Sequence, residues 1–119
     1  MEKVYDSEYK LLTILWEKEA LSSPELVKLC NEKYNWKKST TYTIIKKLSD
    51  KGMVKSENTI VTPLITKKEA DRDESDRLLN RISQGNVASF LVSFFEDRKL
   101  TKEDIKRIQK IIDEAEVDE

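Results

Sequence analysis

The sequence contains no histidine, one cysteine, two glycines and two prolines. Without histidine it lacks the commonest general base, the commonest metal ligand and any imidazole-based pH switch, so enzymatic function is disfavoured. The carboxylates scatter over helical faces, no nucleophile stands beside a base, and no glycine-rich loop is available for a phosphate. The expectation is therefore a chain with no cofactor and no metal. The lone Cys30 cannot form an internal disulfide. It sits among Leu26, Val27 and Leu29 and reads as a small buried hydrophobe. Scarce Gly and Pro, with 38% charged residues, describe a mainly helical chain and argue against an all-β sandwich. No apolar run approaches the roughly 20 residues that cross a bilayer. The first eight residues also lack the apolar stretch of a secretory signal. No membrane insertion and a cytoplasmic location follow as expectations.

What is there is 119 residues, enough for one ordinary domain, or for a small head with an appendage that needs a partner. The net charge of −1 hides an asymmetry. Residues 1–68 hold 13 Lys/Arg against 9 Asp/Glu, and residues 69–119 hold 9 against 14. A basic half beside an acidic one hints at nucleic acid on the basic side.

Periodicity and capping signals divide the chain into elements. Asp6 or Ser7 can cap a first helix whose stripe is Tyr5, Tyr9, Leu12 and Trp16, with Leu11 and Leu15 beside it. Ser22 and Glu25 have capping-box spacing around Pro24 and open a second helix reaching about Lys33. A third helix follows Trp36 and ends at Gly52, a left-handed C-cap. Two short strands, 53–57 and 60–64, flank Asn58 and Thr59 as a β-hairpin, with Pro63 at an edge or exit position. Thr66 and Glu69 form a second capping box, for a helix that Gly85 ends. Val87, Phe90, Leu91, Phe94 and Phe95 follow a helical template. Thr101 and Asp104 open a last helix carrying Ile105, Ile108, Ile111 and Ile112. The fold class read from this order is mainly α: a winged helix-turn-helix DNA-binding head, residues 1–65, with a small β-hairpin wing, and a C-terminal helical dimerisation region, residues 66–119.

The third helix, about residues 39–51, carries the functional signal. Thr41, Ile44, Ile45 and Leu48 form one stripe that can face a core. Ser39, Thr40, Tyr42, Thr43, Lys46, Lys47 and Asp50 are then forced outward. Hydroxyls can donate or accept at base edges, the Thr methyl can touch a thymine methyl, and lysines contact phosphate. From Trp36 to Lys55 there are six lysines, at 37, 38, 46, 47, 51 and 55, against one acid, Asp50. A basic helix alone is more often a solvated face. The order helix, helix, basic helix, hairpin makes it the second helix of a helix-turn-helix with a wing. The DNA-contacting set read here is Trp36, Lys37, Lys38, Ser39, Thr40, Tyr42, Thr43, Lys46, Lys47 and Lys55.

These residues resemble the penicillinase-repressor family, the BlaI/MecI group of winged-helix transcriptional repressors with its copper-responsive CopY-type relatives. In the head the resemblance rests on Asp6-Ser7-Glu8, Leu15-Trp16, Glu25-Leu26-Val27, Trp36, Thr40, Thr43, Leu48 and Lys51-Gly52. In the tail it rests on Leu79-Asn80-Arg81, Gly85 and Leu100-Thr101. It implies a homodimeric repressor that binds palindromic operator DNA through the third helix, with Trp36, Thr40, Thr43 and Lys47 at or near the DNA. Lys38 and Ser39 stand where relatives carry Pro-Lys, and the wing is shorter than theirs. The tail has no cysteine for a copper site, so the β-lactam-responsive branch is the nearer one. There the resemblance implies antibiotic-resistance genes as targets and a membrane sensor-protease as inducer. The position where relatives are cut between Asn and Phe is Ser93-Phe94 in this chain.

The tail's apolar residues are Leu79, Ile82, Val87, Phe90, Leu91, Phe94, Phe95, Ile105, Ile108 and Ile112. The segment is too small to bury them by itself, so they read as a dimerisation surface. A tail folded back on its own head is the structural alternative. At the level of function the alternative is a winged-helix protein-interaction module, or a regulator answering a different signal.

Overall fold

The computed structural model describes residues 1–117. The elements run α1 (Asp6–Lys18), β1 (Leu21–Ser22), α2 (Ser23–Tyr34), α3 (Lys38–Asp50), β2 (Val54–Glu57), β3 (Ile60–Pro63), α4 (Lys67–Ser83), α5 (Val87–Phe95) and α6 (Lys102–Glu114). Two compact units emerge, Met1–Leu78 and Leu79–Glu119. The division lies inside α4, later than the boundary at 65/66 read from sequence. The reason is local: the Tyr9 hydroxyl donates to Asp71 at 2.7 Å and Ala70 is buried. The first turns of α4 therefore belong to the head.

The N-cap of α1 is Tyr5, one position before the expected caps, and Glu8 reaches back to accept the Tyr5 N–H at 2.9 Å. Its buried face is Glu8, Leu11, Leu12, Ile14 and Leu15. Tyr9 and Trp16 flank that face in an edge-on contact at 5.3 Å, and Tyr5 is exposed. The cap of α2 is Ser22, whose hydroxyl accepts the Glu25 N–H. Asn35 ends α2 in the left-handed region.

α3 closes in a Schellman arrangement. Gly52 takes φ +72° and donates to Ser49 O, while the Met53 N–H donates to Leu48 O at 2.9 Å. Met53 and Leu48, the apolar pair that accompanies this motif, are both buried. The turn thus sends the chain out of α3 directly into the hairpin.

The hairpin turns through Asn58 and Thr59, both at positive φ, as a two-residue type I′ connection requires. Val54 faces Pro63 and Lys55 faces Thr62 across the antiparallel pair. Beyond β3 lies β1, a strand of two residues that sequence periodicity could not reveal, with Leu21 opposite Val61. The core beneath this sheet unites Leu11, Leu12, Leu15, Leu26, Cys30, Ile44, Ile45, Leu48, Met53, Val54 and Val61. Each such aliphatic side chain contributes roughly 1.5–3 kcal/mol by leaving water. Cys30 is in this core, as expected, and burial pushes its thiol pKa up.

In the second unit, Asn86 caps α5 and Thr101 caps α6, accepting the Ser89 and Asp104 N–H groups at 2.8 and 3.0 Å. No residue of α5 or α6 is buried. Ile82, Val87, Val92, Phe94, Ile105, Ile111 and Ile112 are all exposed.

Candidate nucleic-acid interface

The helix that presents the site is fixed from beneath. Thr41, Ile44, Ile45 and Leu48 are its buried stripe, and they lock the rotation of α3 about its axis. Ser39, Thr40, Tyr42, Thr43, Lys46, Lys47 and Asp50 are consequently all exposed, with Lys37 and Lys38 exposed just before them. Every α3 residue expected to point away from the core is exposed.

Details refine what each side chain offers. The Thr43 hydroxyl donates to Ser39 O at 2.9 Å, which leaves its lone pairs and methyl group facing outward. A hydroxyl so committed offers a further partner only an acceptor. The Lys38 ammonium lies 5.8 Å from the Tyr42 ring centroid, so the two side chains lie together one helical turn apart. Lys55, on β2, is exposed and pairs with Glu57 at 2.8 Å. Such a surface pair is weak and leaves the lysine free to exchange partners.

Two residues are tied down more than their neighbours. Trp36 is half-buried and packs against the core, its ring 5.0 Å from that of Tyr34. It therefore supports the turn between α2 and α3 more than it projects from it. Lys51, counted within the basic cluster, is folded away, with its ammonium 2.7 Å from Glu8 Oε1. The remaining lysines, 37, 38, 46, 47 and 55, are exposed positive charge, with Asp50 the exposed acid among them. Glu8 was not read as special, since nothing local marks a carboxylate whose partner lies 43 positions away in sequence.

The hairpin is held at its tip. The Ser23 N–H, at the start of α2, donates to Thr59 O at 2.7 Å, tying the turn of the wing to the helix-turn-helix. The wing is thereby short and braced.

The family model for the penicillinase repressor matches residues 5–114. The chain belongs to the penicillinase repressor family. Similar proteins include the penicillinase repressor of Bacillus licheniformis, 23% identical over 116 residues, covering 94% of this chain and 91% of that one. The methicillin resistance regulatory protein MecI of Staphylococcus aureus (strain N315) is 22% identical over 114 residues, covering 92% and 93%. An uncharacterized 16.5 kDa protein of Latilactobacillus sakei is 24% identical over 114 residues, covering 92% and 78%. As a member of this repressor family the chain is a transcriptional regulator and not an enzyme. Among the described residues, no helix is long and apolar enough to cross a membrane.

Proposed function

We propose that this penicillinase repressor family member acts as a homodimer that binds a palindromic operator by laying α3 in the major groove. The observation that carries the reading is the clean division of α3. One face, Thr41, Ile44, Ile45 and Leu48, is buried, and the other presents the hydroxyls of Ser39, Thr40, Tyr42 and Thr43 with the lysines 38, 46 and 47. The DNA-contacting residues are Lys37, Lys38, Ser39, Thr40, Tyr42, Thr43, Lys46 and Lys47, with Lys55 at a phosphate and Trp36 buttressing the approach. The exposed apolar residues of α4's end, α5 and α6 pair two copies, which sets half-sites about one helical turn apart or a multiple of it. By likeness to relatives named for penicillinase and methicillin resistance, the regulated genes are antibiotic-resistance genes. Release then follows proteolysis of the dimerisation region at Ser93-Phe94, by a membrane sensor-protease. That bond lies inside α5, so cutting requires local unwinding first.

Duplexes enriched by the protein from a randomised pool, titrated against salt, test the binding. Lys47→Ala is expected to weaken binding to all sequences and to lower the salt slope by about one. Thr43→Ala is expected to relax preference at one base pair, by about 1–3 kcal/mol. Unchanged affinity in both variants would remove α3 from the interface. For induction, β-lactam treatment of cells followed by blotting is expected to reveal a shortened chain; intact protein with target genes switched on excludes proteolysis.

A further inference from the structure

We infer that Lys51 is a positioning residue for sequence-specific recognition: it anchors the C-terminal end of α3 to α1 and to the first residues of the chain, and it touches no phosphate. This assignment rests on the DNA-binding reading of α3. Lys51 is the residue that follows α3, held between Asp50 and the left-handed turn at Gly52. Its ammonium donates to Glu8 Oε1 at 2.7 Å and to Lys3 O at 2.8 Å, and lies 4.8 Å from the Tyr5 ring centroid. An ammonium has three donors; two are committed and an aromatic face covers another side.

The partner makes the arrangement obligatory. The Glu8 side chain is 2% exposed. One of its oxygens serves Tyr5 N–H and Lys51, and the other, Oε2, is buried with no hydrogen-bond partner. Swinging Lys51 out to a phosphate would strand a buried carboxylate without a counter-charge, which is strongly unfavourable. The lysines on the exposed face of α3 carry no such obligation.

Base-edge contacts need side chains held to within about 0.5 Å, whereas attraction to phosphate tolerates misplacement. Loss of the anchor therefore affects specific binding selectively. The test uses the full chain and two duplexes of equal length, one enriched by the wild-type protein from a randomised pool and one of random sequence. Lys51→Met is expected to bind the random duplex as wild type does, with the same salt slope, and to bind the enriched duplex about tenfold more weakly. Lys51→Arg, which can still reach Glu8, is expected to restore it. Should Lys51→Met not fold, Glu8→Gln/Lys51→Met removes both charges together and is measured in its place. A salt slope reduced by about one makes Lys51 a phosphate contact and overturns the assignment. Unchanged affinity for the enriched duplex also overturns it, leaving the pair a role in stability alone. A wild-type protein that enriches no sequence overturns the DNA reading, and this assignment with it.

Discussion

Gly52 and Thr59 occupy the same left-handed backbone region, at φ +72° and +65°, and only one of them is suited to it. Glycine enters that region without steric cost, while a β-branched residue does so under strain. A Cβ added at Gly52 would meet nothing within 4 Å, so Gly52→Ala isolates the conformational cost. It is expected to lower stability by about 1 kcal/mol. Thr59→Gly is expected to raise stability by a similar amount. Urea unfolding of both variants checks the opposite signs; a Gly52→Ala variant as stable as the parent would contradict the Schellman geometry. At this scale the sequence was legible wherever a residue type has one common use. Cys30 was assigned to the core from its neighbours alone, and the stripe Thr41, Ile44, Ile45 and Leu48 from its spacing. Lys51 was not legible, because a lysine beside other lysines looks the same whether it faces solvent or a buried glutamate. Only the long-range pairing with Glu8 tells them apart.

Among the elements, the helices announced themselves through caps. Ser22, Thr66 and Thr101 all accept the N–H three residues on. β1 gave no such signal, since two residues carry no periodicity and exist as a strand only through pairing with β3. The early turns of α4 were also misleading. Nothing in their polar composition marks the tie to the head, which Tyr9 makes by donating to Asp71 and Ala70 makes by burial. Asp71 is held below its ordinary pKa of 3.8 by hydrogen bonds from Lys67 and Tyr9, and its carboxylate in turn holds Tyr9 above its usual 10.0. A depressed carboxyl pKa stabilises the fold above the unfolded value and ceases to do so as pH falls through the folded one. The melting-temperature difference between wild type and Asp71→Asn is thus expected to be constant from about pH 6 to 8 and to shrink below about pH 4. Its size is modest because the group is exposed and screened. A difference independent of pH down to 2 would remove the charge from the account.

For the whole molecule, the decisive contrast is between a head with a closed core and a second unit in which no residue of α5 or α6 is fully buried. Sedimentation at micromolar concentration is expected to give the mass of two chains. Ile112→Asp, which puts a charge on an apolar position 52% exposed in the single chain, is expected to give the mass of one and to weaken operator binding. A monomeric wild type would contradict the pairing. The sequence has more apolar side chains after residue 78 than two short helices can cover, which is the compositional ground for the proposed pairing. Helical spacing fixes a face but not its neighbour, so it does not say which of them would meet in the proposed pair. In the proposed dimer, helices whose apolar faces are covered by a second copy tie folding to abundance by mass action. When synthesis stops and cells keep dividing, dilution alone would then populate single chains. Repression built on such a unit would fall away as a threshold, faster than the loss of protein by growth.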